Sequence, residues 1–157
     1  MADYCFESRL WVARSRPEVF AFLAAAENLP ALTPSWLRLR LVTPVPIRMN
    51  AGAVVDYRIR WLGLPLGVRM FVREYDAPFR FLDVQLRGPC ARWEHRHRFL
   101  EEAGGTRVED RIVYRLPVGP LGRLAHALIV GRQLDWIWRH RTAVIAERFG
   151  PVQVVPA

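Results

Sequence analysis

The sequence contains no lysine. All 23 basic residues are arginine, set against 15 acidic residues and four histidines, for a formal net charge of +8. That excess lacks clustering: the arginines are spread along the chain and often alternate with apolar residues. Such spreading belongs to solvated outer strand faces, whereas nucleic-acid binding needs a basic stripe with aromatic platforms beside it, so no nucleic-acid partner is expected. Cysteine is scarce, with only Cys5 and Cys90, far apart. Two free thiols in a reducing compartment are expected, not a disulfide framework. No run reaches ~18 apolar residues, and the candidate over 124–130 is broken by Gly131 and Arg132, which excludes a transmembrane helix and leaves no integral membrane segment. The first residues carry Asp3 and Glu7 and lack the basic-then-apolar order of a secretion signal, so a cytoplasmic location is expected.

What is present is apolar and aromatic. Hydrophobic residues make up 52% of the 157, with six Trp and eight Phe, which suggests large apolar cavities or interfaces. A chain of this length buries roughly 70% of its unfolded surface. A single domain over 1–157 is expected, with an ordered core of about 3–150.

The order of elements is legible. Residues 4–14 read as a strand, and Ser15-Arg16-Pro17-Glu18 has capping-box spacing, with Val19, Phe20, Leu23 and Ala24 on one helical face behind it. Asn28, Pro30 and Pro34 interrupt, leaving a short second helix or turn before Trp36. Six strands follow, over 37–43, 53–61, 66–76, 79–87, 91–101 and 106–116, separated by turn signals such as Gly63-Leu64-Pro65 and Gly104-Gly105. Their period-two alternation with one polar face predicts an antiparallel meander with one side wet. A helix over 121–149 closes the chain. Leu121, Leu124, Ala127, Leu128, Gly131, Leu134, Trp138, Ile145, Ala146 and Phe149 fall on one stripe of it, facing the sheet. The fold class is therefore α+β, a curved antiparallel sheet wrapped around a long C-terminal helix, in the order β-α-α-β6-α.

That order resembles the helix-grip arrangement of the SRPBCC superfamily (START-like, birch-pollen-allergen-like), and within it the polyketide cyclase/dehydrase-like branch. The residues that carry the likeness are Pro17-Glu18-Val19-Phe20, the stretch Arg87-Gly88-Pro89 through Trp93, His95, His97 and Phe99, and Gly105-Thr106, Asp110, Tyr114 and Pro117-Val118-Gly119-Pro120. The likeness covers nearly the whole chain. It implies a hydrophobic pocket between sheet and helix, in a superfamily of lipid carriers, hormone receptors and aromatase/cyclases, so function has to be argued from the site.

Strand parity locates the polar groups. Trp93, His95, His97 and Phe99 share one face and Glu94, Arg96 and Arg98 the other, which turns the histidines inward. By the same rule Val108, Asp110, Ile112, Tyr114 and Leu116 face inward. A four-residue loop at Gly104-Gly105 would set His95 opposite Tyr114 and Asp110 opposite Phe99, diagonal to His97. His95, His97, Asp110 and Tyr114 are the candidate catalytic set: the imidazoles move protons, Asp110 orients them and Tyr114 holds an enolate or phenolate oxygen. The alternative is a structural His97–Asp110 pair whose members satisfy each other when buried. No metal is expected, because His95 and His97, two apart on one strand, would both have to reach the same ion beside Asp110.

Tyr57, Trp61, Met70, Trp93, Tyr114 and Trp138, with Leu128 of the last helix, form the expected apolar wall. Asp135 interrupts the helix stripe, either to anchor a ligand polar group or, as the favoured reading, to pair with Arg139 at i+4. A two-residue turn at Pro89-Cys90 would point Leu82, Val84 and Leu86 inward and leave Asp83 outside near Arg96, whereas a three-residue turn would reverse this and bring in Asp83 and Gln85. Three readings result. The first is a module binding an aromatic, polyketide-like, isoprenoid or lipid molecule without cofactor. The second is a cyclase/dehydrase-type enzyme, and the third a protein-docking or chaperone-like module. A homodimer through the segment Arg80 to Arg87 and the exposed Trp11, Trp36 and Trp136 is compatible with each.

Overall fold

The computed structural model describes residues 2–117 and 119–156. Met1, Ala157 and Val118 of the Pro117–Pro120 motif lie outside the described residues.

Strand β1 (Tyr4–Val12) leads into α1 (Arg16–Ala24), which opens on the capping box: Glu18 accepts from the Ser15 amide at 3.3 Å and from its hydroxyl at 2.6 Å. The short α2 (Leu29–Leu32) follows. The meander then runs through β2 (Arg40–Leu41), β3 (Val54–Trp61), β4 (Leu64–Asp76), β5 (Arg80–Arg87), β6 (Arg92–Glu102) and β7 (Gly105–Arg115). A last strand, β8 (Val152–Val154), pairs with β1. The eight strands form one sheet in the order β2-β3-β4-β5-β6-β7-β1-β8. β4 carries register shifts at Arg69/Met70 and Val72/Glu74, irregularities of the kind that bend a strand and increase its twist.

The strand expected over 37–43 shrinks to two residues. Ser35–Leu37 instead make a 3-10 turn ended by Arg38 in the left-handed region (φ 46), after which only Arg40 and Leu41 pair with β3. β8 has no counterpart among the expected elements, since three residues are too few for alternation to register.

The closing helix is continuous over 31 residues. It comprises α3 (Gly119–Ala125), a π-helical turn (His126–Val130) and α4 (Gly131–Phe149). That turn overturns half of the expected apolar stripe. A π turn inserts one residue into the helical repeat and rotates the preceding segment by about 100°. In α4 the buried face is Leu134, Arg141, Ile145 and Phe149, as the wheel predicts apart from Arg141. In α3 and the turn itself, Gly122 and Val130 are buried, while Leu121, Leu124 and Leu128 are 67%, 56% and 58% exposed. No helix of the described residues is long and apolar enough to cross a membrane.

Two core clusters hold helix to sheet. One gathers Phe20, Phe81, Phe99 and Val108 under α1 and the end of α4, and the other gathers Ile112, Tyr114, Val130 and Leu134. Between them lies a polar group of side chains: His97 stacks on Phe81 of the first cluster (3.9 Å), and His95 meets Trp138 beside the second (5.5 Å).

Candidate functional site

A cavity of about 270 Å³ lies between the inner sheet face and α4. Its wall is chiefly apolar, with Tyr57, Trp61 and Met70 from β3 and β4, Trp93 from β6, and Ile137 and Trp138 from α4. Trp61 is fixed to the helix by a 2.6 Å hydrogen bond from its indole N–H to Gln133 Oε1. Trp36, 40% exposed, also lines the cavity, which places it where the wall meets the surface. Leu128 and Asp135 are absent from this wall. The π turn rotates Leu128 outward, and Asp135 is exposed and makes no ion pair with Arg139.

The polar end of the cavity is formed by Asp83, His95, His97 and Arg141. β6 and β7 are joined by the two-residue turn Ala103-Gly104, both with positive φ (50° and 76°), and Glu102 pairs with Gly105. The expected four-residue loop is thereby corrected. His97 lies directly opposite Asp110, His95 opposite Ile112, and Trp93 opposite Tyr114. Asp110 is 6% exposed, and its Oδ1 lies 2.8 Å from His95 Nε2, 2.9 Å from His97 Nδ1 and 3.7 Å from Arg141 Nη2.

Asp83 also faces inward, against the favoured expectation. β5 and β6 pair as Asp83↔His95 and Phe81↔His97, a register centred on Pro89 that requires the longer turn. Gln85 braces that turn by donating to the Cys90 carbonyl at 2.7 Å. Asp83 Oδ2 lies 3.3 Å from His97 Nε2. Leu82 and Leu86 point the other way, and Leu82 is nonetheless buried, because it sits between Glu74 and Arg96, whose side chains meet at 3.9 Å.

Electrostatics follow from burial against pairing. Burial alone would raise the Asp110 carboxyl, but the Arg141 guanidinium and the hydrogen bonds from both histidines override it and hold it well below the usual carboxylate range. Burial lowers His95, and the neighbouring His97 lowers it further. His97 is pushed down by burial too, but hydrogen bonds to Asp110 and Asp83 outweigh that and raise it. His97 is thus the better proton holder and His95 the neutral partner, with ring centroids 3.6 Å apart. Tyr114 is not part of the wall. It packs against Tyr4, Trp93 and His126, and burial pushes its phenol up to about 12.

Of the candidate chemistry-bearing residues, His95, His97 and Asp110 come together and Tyr114 stands apart, while Asp83 and Arg141 join them from outside the expected set. The sequence reading missed Arg141, although its place between Trp138 and Ile145 on the α4 stripe was the signal that could have found it. Asp83 depended on a turn length that Gly88-Pro89-Cys90 leaves ambiguous. Three side chains at the wall carry buried polar atoms with no hydrogen-bond partner among the described residues: Trp138 at Nε1, Arg141 at Nε and Nη2, and His97 at Nδ1.

No protein-family model matches the sequence, and no curated protein matches it. Solved structures do. TTHA0849 from Thermus thermophilus is similar with a TM-score of 0.70 at 19% identity, over 94% of this chain and 97% of that one. Major latex-like protein 151 from Panax ginseng gives 0.66 at 12%, over 95% and 99%. The di-domain ARO/CYC StfQ from the steffimycin biosynthetic pathway gives 0.66 at 17%, over 95% of this chain and 53% of that one. At these identities the likeness carries the architecture alone: the chain has the helix-grip α+β fold.

Proposed function

We propose that the protein binds a small, largely hydrophobic molecule (aromatic, polyketide-like, isoprenoid or lipid) between the sheet and α4. The cavity carries this reading. At about 270 Å³ it sits at the lower edge of the ~300–1,000 Å³ typical of small-molecule sites, which favours a ligand of a few rings or one short chain over a two-chain lipid. Apolar walls with a few convergent polar groups at one end suit a molecule with a hydrophobic body and an oxygen acceptor. The unpartnered Trp138 Nε1 and Arg141 donors supply the complement to that acceptor.

The test is native mass spectrometry of gently purified protein, followed by organic extraction. A co-purifying apolar compound, or uptake of one from a panel of quinones, polyketides and fatty acids, supports the reading; a mass unchanged against the whole panel sinks it. The same spectrum reports whether the chain is a monomer or a homodimer. Two free cysteines fit the reducing, cytoplasmic setting that this reading assumes.

A second reading is favoured by one observation: the coupled His95–His97 pair, backed by Asp110 and faced by Asp83, stands at the cavity wall. In a cyclase or dehydrase acting on a carbonyl compound, His97 would donate and His95 accept a proton. The likeness to an ARO/CYC protein supports it. His97→Gln should then abolish turnover of the identified compound while leaving its binding intact, and unaltered turnover would remove the enzyme reading.

A further inference from the structure

We infer that Asp83, His95 and His97 form a binding site for one divalent transition-metal ion at the polar end of the cavity. One donor atom from each of the three lies within 4.8 Å of the others. The register explains why: Asp83 and His95 are cross-strand partners, and His97 is two residues along β6 on the same face. Three ligands at ~2.0–2.2 Å around a tetrahedral ion stand about 3.3 Å apart. The His97 Nε2–Asp83 Oδ2 separation is already 3.3 Å. That is long for a charge-assisted hydrogen bond, which settles near ~2.7–2.9 Å.

The far side of His95 is held as that of a metal-bound histidine is held. His95 Nε2 is hydrogen-bonded to Asp110 Oδ1 at 2.8 Å, and His97 Nδ1 lies 2.9 Å from the same oxygen without making a hydrogen bond. A carboxylate behind a ligating histidine fixes its tautomer and raises its basicity. Here Asp110 does so for His95, and His97 Nε2, facing Asp83, is left for the ion. Two imidazoles and one carboxylate select zinc or a neighbouring first-row ion over calcium or magnesium. All three residues line the cavity, so a fourth position would be open to water or a ligand oxygen from it. This inference does not depend on the apolar-ligand reading, although it shares that cavity.

The test uses the full chain, stripped with a chelator and titrated calorimetrically with zinc chloride alone. We expect one zinc per chain. Asp110→Asn should weaken binding roughly 10–100-fold, and Asp83→Asn, which removes a ligand, by at least as much. Asp83 is only partly buried, so Asp83→Asn keeps the test standing if the Asp110 variant fails to fold. Far-UV circular dichroism and the cooperative thermal unfolding transition should stay at wild-type levels in Asp83→Asn, which separates loss of the metal site from loss of the fold. Absence of stoichiometric zinc binding, wild-type affinity in Asp83→Asn, or abolition of binding by Cys5→Ser would each overturn the inference.

Discussion

At the scale of single residues, Asp110 is the pivot of the interior. It faces two histidines and Arg141, all buried, and its removal strands an arginine with no other acidic partner among the described residues. Breaking one side of such a pair costs about 3–5 kcal/mol, whereas removing both sides costs far less than the sum. Arg141→Leu and Asp110→Asn should each lower urea stability by about 3 kcal/mol, and the double variant should recover part of that loss. Strict additivity would show that the contact contributes nothing. The two thiols make a second contrast. Cys90 lines the cavity and burial pushes its thiol up to about 11, while Cys5 is exposed. At about pH 8, iodoacetamide should therefore modify Cys5 and spare Cys90, as read by peptide mass spectrometry, since the thiolate is the reactive form. Parity alone was enough to turn His95, His97 and Asp110 inward, because Glu94, Arg96 and Arg98 of β6 and Arg107, Glu109, Arg111 and Arg115 of β7 share the other face. It failed for Asp83, where aliphatics at 82, 84 and 86 made the wrong face look like the buried one.

At the scale of elements, local patterns were legible wherever the repeat was undisturbed. One inserted residue was enough to mislead the helical wheel. Across the π turn the apolar side of α3 faces outward, so Leu128→Ala should change stability by less than about 0.5 kcal/mol. Leu134→Ala, on the far side of that turn and 4% exposed, should cost about 2–5 kcal/mol in the same urea titration. Equal losses at both positions would refute the rotated face. The β6–β7 hairpin offers a gain. Ala103 occupies a left-handed position ahead of Gly104, the geometry of a type I′ turn that prefers Asn-Gly. Ala103→Asn should raise stability by roughly 0.5 kcal/mol, and a lower melting temperature would count against the assigned turn. Nothing in the sequence announced the turn length, since Ala-Gly-Gly accommodates either a two- or a four-residue loop.

At the scale of the whole molecule, the architecture was legible from the order of elements. Whether the space between sheet and helix is filled was not, because cavity volume depends on curvature and on how far α4 stands off the strands. Val68, 5% exposed, lines the cavity on β4 and pairs with Tyr57 of β3. Its side chain can therefore grow into open space without displacing a neighbouring core group. An occupant that binds only the folded chain stabilises it by about 2.7 kcal/mol at a hundredfold excess over its Kd. For a domain of this size that corresponds to a rise in melting temperature of roughly 5–10 °C. Val68→Phe should keep or raise the melting temperature of the unliganded protein, because the ring adds contacts the apolar wall lacks, and it should abolish the rise produced by the identified ligand. If instead Val68→Phe lowers the unliganded melting temperature and leaves the ligand response intact, the space beside Val68 is not where the ligand sits. The binding region then lies nearer Trp36 and the surface.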